Sequence, residues 1–220
     1  MTWTLPNSLT VLRLFAAPGV VIMFLYFSRP LADWFALLLF VSAAVTDWFD
    51  GYLARAWKQE SKFGAMLDPI ADKAMVVIAL LVITGYAGMD PWILLPATVI
   101  IFREVFVSGL REFLGDTAGT LKVTNLAKWK TTAQMIAIAV LFGTGIFGHM
   151  LIDRTTGMDD STIAEIFAGG ADPLALRRID LAARATWWMG VGLLWIAAVL
   201  TLLTGFDYFR KALPHLREDA

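Results

Sequence analysis

The chain has 220 residues, of which 58% are hydrophobic and 17% are charged. Soluble domains average about 45–50% apolar and about 25% charged residues, so this composition favours a membrane protein over a disordered chain. The 18 Lys and Arg residues nearly balance 19 Asp and Glu residues, which excludes a strongly basic, nucleic-acid-binding protein. The absence of cysteine excludes disulfides and thiolate metal sites, and the two histidines argue against a histidine-built metal centre.

Six apolar runs are each long enough to cross a hydrocarbon core of about 30 Å as a helix. They lie at about 9–28, 31–54, 66–87, 91–110, 131–150 and 184–206. Backbone polar groups in lipid must be paired within their own segment, and the runs lack the alternation of barrel strands. The sequence therefore predicts an all-α, polytopic bundle of six transmembrane helices in one membrane-embedded domain, residues 1–220.

The connections between these runs differ in basic charge. Ten Lys and Arg residues fall on one side of the predicted membrane and four on the other, which predicts that both termini are cytoplasmic. The stretch 151–182 contains six acidic residues and three arginines. It is predicted to be a non-cytoplasmic loop with one short helix near Ser161–Phe167.

Four aspartates lie at the ends of the apolar runs of the second and third helices, namely Asp47, Asp50, Asp68 and Asp72. One aspartate at membrane depth costs about 2.5–3.5 kcal/mol on insertion scales, so four need compensation. The i, i+3 and i, i+4 spacings place each pair on one helical face, and a short connection makes the two helices antiparallel neighbours. Two divalent cations would neutralise four converging carboxylates, and an all-oxygen ligand set favours Mg²⁺, Mn²⁺ or Ca²⁺.

Small and basic residues accompany the aspartates. Gly51 removes a side chain beside them, at a cost of about 1 kcal/mol in helix propensity, which indicates close approach of a ligand to the backbone. Arg55 could form paired hydrogen bonds with a phosphate. Pro69 is expected in the first turn of the third helix, where its missing N–H has no structural cost.

At these residues the sequence resembles the CDP-alcohol phosphatidyltransferase family, whose signature is D-x2-D-G-x2-A-R-x8-G-x3-D-x3-D. The signature is filled by Asp47, Asp50, Gly51, Ala54, Arg55, Gly64, Asp68 and Asp72. The flanking segments resemble bacterial members of the family that use sn-glycerol 3-phosphate as acceptor, at 6–14, 44–55, 62–73, 103–112 and 128–134.

The resemblance implies transfer of a phosphatidyl group from CDP-diacylglycerol to sn-glycerol 3-phosphate, with release of CMP. It implies two divalent cations, Mg²⁺ or Mn²⁺, held by the four aspartates, with Asp72 also acting as general base. It assigns binding of CDP-diacylglycerol to Asn7, Thr10, Gly51, Ala54, Arg55, Ser61 and Gly64. It also implies a homodimer in the bacterial inner membrane, among membrane lipids, with its active site facing the cytoplasm.

A cationic cluster on the predicted cytoplasmic side suits an acceptor that is itself a phosphate. Its members are Arg103, Arg111, Lys128 and Lys130. Charged residues inside a membrane segment are functional candidates by default. The alternatives are ion pairs of the arginines with Glu104 and Glu112, and a topological role for the lysines.

The sequence is also compatible with three other functions. An enzyme of the same kind could use inositol phosphate, serine or choline as acceptor. A membrane prenyltransferase also binds pyrophosphate through aspartates and Mg²⁺, although its aspartates are spaced differently. An ion-coupled transporter would also carry intramembrane carboxylates, but the sequence contains no inverted repeat that would support one.

Overall fold

A computed structural model describes residues 5–57, 61–120 and 126–216. Side chains are described in the same ranges except at Pro6, Trp48, 50–57, Asp116, Thr120 and Ala127. The helices are α1 Leu5–Tyr26, α2 Leu31–Trp57, α3 Lys62–Tyr86, α4 Pro91–Leu114, α5 Leu126–Thr155, α6 Asp160–Phe167 and α7 Leu176–Ala212. Short 3₁₀ turns follow α4 and α7, at Gly115–Thr120 and Leu213–His215.

The predicted all-α class is confirmed. Within the described ranges, four helices are long and apolar enough to cross a membrane, with spans at Asn7–Tyr26, Pro91–Leu114, Lys128–Thr155 and Leu176–His215. The helices α2 and α3 carry the predicted aspartates. The count of six spans and the orientation of the termini remain predictions.

Each predicted span overlaps one helix, and every helix extends beyond its predicted span at one end or both. The spans predicted at 9–28, 66–87 and 131–150 correspond to α1, α3 and α5, and α7 is much longer than the predicted 184–206. The loop predicted over 151–182 is wrong at both ends, because α5 continues to Thr155 and α7 begins at Leu176. The short helix predicted inside that loop is confirmed as α6.

The early start of α7 has a local cause in Asp172. Its carboxylate accepts hydrogen bonds from the backbone N–H groups of Leu176, at 2.7 Å, and Arg177, at 3.1 Å. Desolvation opposes ionisation, but these two donors and the charge of Arg177 outweigh it, so the pKa of Asp172 is lowered. A carboxylate at this position pairs the otherwise unsatisfied N–H groups of the first helical turn.

The core of the bundle lies between α1, α2, α3, α4, α5 and α7. Its largest fully buried side chains include Phe40, Leu80, Ile138, Phe142 and Leu194. Large apolar side chains on the outer helix surfaces are exposed, among them Phe15, Leu25, Phe102, Trp188 and Phe206. An apolar exterior around a packed interior is expected of a protein whose solvent is lipid.

A buried ion pair joins α2 to the connection that precedes it. The Arg29 guanidinium donates to both carboxylate oxygens of Asp33, at 2.6 and 2.7 Å, and Asp33 is almost fully buried. A side chain at Gly145 of α5 would overlap this pair, so glycine is required for α5 to pack there. Arg29 also lies over the ring of Tyr86, 4.9 Å from its centroid.

Candidate active site

The first functional cluster lies where the N-terminal parts of α1 and α3 meet the C-terminal part of α2. Arg13 of α1 is buried, with a side chain only 2% exposed. Its Nη1 donates to Asp47 and, at 2.7 Å, to Oδ1 of Asp72, while Nη2 lies 3.4 Å from Oδ1 of Asp68. The structure therefore brings three of the four predicted aspartates together around one guanidinium.

Asp50 lies on α2 one turn beyond Asp47, but its side chain is outside the described part of the structure. The same holds for Gly51, Ala54 and Arg55. Their predicted contacts are thus neither supported nor opposed by the structure.

The donor atoms of the aspartate cluster are of the kind that hard divalent cations prefer. Among the described side chains, no group of three or more acidic or histidine residues is arranged to hold an ion as it stands, and Arg13 lies among the carboxylates. The three carboxylates are about half exposed, with 46%, 48% and 54% of the side chains accessible for Asp47, Asp68 and Asp72. They offer only oxygen donors, which suits Mg²⁺ or Mn²⁺.

Four of the seven residues predicted to bind CDP-diacylglycerol meet beside this cluster. Thr10 donates to Oδ1 of Asp68 at 2.8 Å, and the Ser61 hydroxyl donates to Oδ1 of Asn7 at 2.7 Å. Ser61 also caps α3 by accepting the N–H of Gly64 at 3.0 Å. A Cβ at Gly64 would lie 2.8 Å from Oδ1 of Asn7, so glycine lets the start of α1 pack against the start of α3.

The cap at Ser61 also corrects the prediction for Pro69. Because α3 begins at Lys62, Pro69 lies inside the helix and not in its first turn. Its ring removes the hydrogen bond that the Ala65 carbonyl would otherwise accept. The sequence reading missed this because hydropathy locates the apolar part of the helix and not its polar first turns.

A cavity of about 280 Å³ opens beside Asp72. Its polar lining consists of Arg13, Asp47, Asp72, Thr131 and Thr132, so it lies between the aspartate cluster and the start of α5. This cavity provides space for a polar reactant next to the Asp72 carboxylate.

The second functional cluster is basic and joins α4 to α5. Lys130 and Glu104 form an ion pair, and Nη1 of Arg103 lies 3.3 Å from Oε1 of Glu104. All three side chains are largely buried. The structure thus brings two of the four predicted cations together, with the Glu104 ion pair that the sequence offered as an alternative.

The other two predicted cations are more exposed. The Arg111 guanidinium lies over the ring of Tyr208 in α7, 5.2 Å from its centroid, and interacts electrostatically with Arg103. Lys128 is exposed at the start of α5. Three of the four predicted cations, Arg103, Arg111 and Lys130, therefore lie in one cluster.

Lys73 connects the two clusters. It follows Asp72 in α3, and its Nζ donates to the Ser108 hydroxyl of α4 at 2.6 Å. Its charge also acts on Asp72, on Glu104 and on Lys130. A cation is thus shared between the carboxylate cluster and the basic cluster.

Two buried polar atoms beside Arg111 have no hydrogen-bond partner within the described part of the protein. They are Nε of Arg103 and Oη of Tyr208. Buried polar groups are paired in the great majority of cases, so unpaired donors indicate a place for a ligand or water. The α7 surface leaves space for Arg103 at Gly205, where a Cβ would lie 2.9 Å from Cγ of that arginine.

Comparison with known proteins identifies the family. A family model described as CDP-alcohol phosphatidyltransferase matches residues 3–203, which include both clusters. The chain belongs to the CDP-alcohol phosphatidyltransferase family.

Three relatives of this phosphatidyltransferase share one name, CDP-diacylglycerol--glycerol-3-phosphate 3-phosphatidyltransferase. The protein from Cereibacter sphaeroides is 65% identical over 221 residues, which cover 100% of both chains. The one from Rickettsia bellii is 38% identical over 94% of this chain and 93% of its own. The one from Escherichia coli K12 is 43% identical over 64% of this chain and 78% of its own.

Sequence reasoning missed three residues that the structure places at the sites of this phosphatidyltransferase: Arg13, Lys73 and Tyr208. A signal existed for Arg13, because an arginine inside an apolar run is a functional candidate by default. Lys73 adjoins Asp72 and could have been found in the same way. Tyr208 carried no local signal, since only packing of α4 on α7 brings it under Arg111.

Proposed function

We propose that this chain transfers the phosphatidyl group of CDP-diacylglycerol to sn-glycerol 3-phosphate, giving phosphatidylglycerophosphate and CMP. The full-length, 65% identical relative named for these two substrates carries the proposal. The structure supports it through a carboxylate cluster and a basic cluster that Lys73 joins. The chain is a membrane-embedded transferase of phospholipid biosynthesis.

The four aspartates would hold two divalent cations, Mg²⁺ or Mn²⁺. When bound, such ions neutralise pyrophosphate oxygens and stabilise the charge on departing CMP. Arg13 keeps three of the carboxylates together by hydrogen bonds from one guanidinium. This arrangement holds the ligands near one another and offsets part of their mutual repulsion.

Asp72 is proposed as the general base. The 1-hydroxyl oxygen of sn-glycerol 3-phosphate attacks the phosphorus that carries diacylglycerol, and the bond from that phosphorus to CMP breaks. The hydroxyl proton passes to the Asp72 carboxylate. The cavity beside Asp72 gives the acceptor access, and half of the Asp72 side chain is accessible from it or from solvent.

The remaining contacts divide between the two substrates. The nucleotide end of CDP-diacylglycerol is proposed to lie against Asn7, Thr10, Gly51, Ala54, Arg55, Ser61 and Gly64. The acceptor phosphate is proposed to bind Arg103, Arg111, Lys128 and Lys130, with Tyr208 added from the structure. Guanidinium and ammonium groups make charge-assisted hydrogen bonds to phosphate, which suits both ends of this reaction.

The proposed function includes an arrangement of the chain in the membrane. Six helices span the bacterial inner membrane as a single domain over residues 1–220, both termini and the active site face the cytoplasm, and two copies form a homodimer. The excess of Lys and Arg on one side supports the orientation. The family resemblance supports the dimer.

Release of CMP by the purified protein in detergent tests the proposed function. With CDP-diacylglycerol and Mg²⁺, we expect release that depends on sn-glycerol 3-phosphate. Glycerol is the matched control, because it has the same hydroxyl but lacks the phosphate that the basic cluster would bind. Release with inositol phosphate or serine instead would replace the acceptor assignment and retain the reaction type.

Gly205→Val tests the acceptor site from a residue that touches no substrate. The added side chain would displace Arg103, so we expect the KM for sn-glycerol 3-phosphate to rise about tenfold with an unchanged KM for CDP-diacylglycerol. Gly192→Val is the matched control on the same helix, because a Cβ there meets nothing within 4 Å. Equal rises in both KM values would contradict the placement of Arg103 in the acceptor site.

A further inference from the structure

Glu104 is a carboxylate within a largely basic, largely buried cluster. It pairs with Lys130 of α5 and lies 3.3 Å from Nη1 of Arg103, and its own side chain is only 13% exposed. Lys73 also acts on it electrostatically. A single carboxylate oxygen, Oε1 of Glu104, thus contacts both Nη1 of Arg103 and Nζ of Lys130.

The charge of this cluster is incompletely balanced. Glu104 contributes one negative charge against Lys130 and Arg103, and Arg111 adds a further positive charge near Arg103. Lys73 is a further cation near this cluster, although its charge also acts on Asp72. Excess positive charge in a desolvated place is unfavourable, and a phosphate dianion is the ligand that would neutralise it.

We propose that Glu104 is a displaceable counter-anion of the acceptor site. It neutralises Lys130 and Arg103 while no phosphate is bound, gives way when the acceptor phosphate arrives, and re-forms its contacts as the product leaves. The inference rests on the proposed function, since it concerns the site assigned to sn-glycerol 3-phosphate.

Exchange of Glu104 for the acceptor phosphate would help the enzyme to release its product. Acceptor and product carry the same phosphate group, because the reaction occurs at the hydroxyl at the other end of the glycerol. A cationic site without an internal anion would bind both more tightly and would release the product slowly. Competition from Glu104 weakens phosphate binding and speeds its exchange.

Glu104→Gln removes the charge and keeps the shape and a hydrogen-bond acceptor for Lys130. Inorganic phosphate is the probe, used as an inhibitor of CMP release and as a stabiliser in thermal unfolding without CDP-diacylglycerol. We expect the inhibition constant of phosphate and the KM for sn-glycerol 3-phosphate to fall about fivefold or more, with a lower kcat and an unchanged KM for CDP-diacylglycerol. Glu112→Gln, at an exposed acid on the same helix, should leave all four values unchanged.

An unchanged or raised inhibition constant of phosphate in Glu104→Gln would overturn the proposal, because Glu104 would then only position Lys130. If that variant does not fold, Glu104→Asp replaces it, since the shorter acid keeps its charge but reaches Lys130 less well. Phosphate should then raise the unfolding temperature more in Glu104→Asp than in the unaltered protein, and an equal rise would overturn the proposal.

The two readouts separate this inference from the proposed function. Stabilisation by phosphate requires neither CDP-diacylglycerol nor turnover. A Glu104-dependent phosphate effect without any acceptor-dependent CMP release would contradict the proposed function and leave Glu104 as the counter-anion of a phosphate site. CMP release that depends on sn-glycerol 3-phosphate without the Glu104 effect would contradict this inference alone.

Discussion

Asp72→Asn should lower kcat by about 10²- to 10⁴-fold, the usual contribution of a general base. Asparagine has the shape of aspartate but cannot take up the proton of the attacking hydroxyl. Since Asp72 is also proposed to bind a cation, the rate is to be measured over a series of Mg²⁺ and Mn²⁺ concentrations. A loss of turnover that persists at saturating metal assigns the proton transfer to Asp72.

Asp180→Asn provides the control for Asp72→Asn. Asp180 pairs with Arg184 one turn away on α7 and lies outside both functional clusters. Its replacement should leave kcat unchanged. Near-normal turnover of a folded Asp72→Asn protein, or full rescue by added metal, would contradict the role of Asp72 as base.

Arg13→Met should destabilise the protein most when divalent cations are removed by a chelator. Breaking a fully buried ion pair costs about 3–5 kcal/mol, but the carboxylates around Arg13 are half-exposed, so we expect about 2 kcal/mol. For a chain of this size that corresponds to a decrease of roughly 4–8 °C in the unfolding temperature. Saturating Mg²⁺ or Mn²⁺ should recover most of the decrease, because bound cations would replace the lost positive charge.

Arg13→Lys separates charge from hydrogen-bond geometry in the same measurement. Lysine keeps the positive charge but lacks the planar guanidinium that reaches three carboxylates. We expect an intermediate decrease in the unfolding temperature without metal. Equal destabilisation of Arg13→Met with and without divalent cations would show that Arg13 acts through packing alone.

The aspartate cluster could be predicted from the sequence because the spacing of its residues along each helix is a local pattern. The predicted packing of α2 directly on α3 is wrong, because both helices pack mainly on α1. Helical periodicity still places residues three or four positions apart on one face, and Arg13 of α1 lies between the two faces. The structure accordingly brings Asp47, Asp68 and Asp72 around one group. The same local logic located the short helix α6.

The ends of the helices were harder to predict from the sequence than the aspartate cluster. Hydropathy detects the part of a helix that suits lipid, whereas a helix ends where its backbone groups find other partners. Ser61 and Asp172 supply such partners, so α3 and α7 begin earlier in the chain than predicted. Pro69 therefore lies inside its helix. These caps depend on single side-chain hydrogen bonds and not on any average over a window.

By itself, the amino-acid sequence determined the helical membrane class, the family and the identity of the carboxylates, because each follows from composition or from short, regular spacing. Only the tertiary structure decided that Arg13 lies among those carboxylates and that Glu104 faces Lys130. These partners are separated by 34 and 26 positions in the chain. Contacts over such separations depend on how helices pack against one another, and no local pattern specifies that packing.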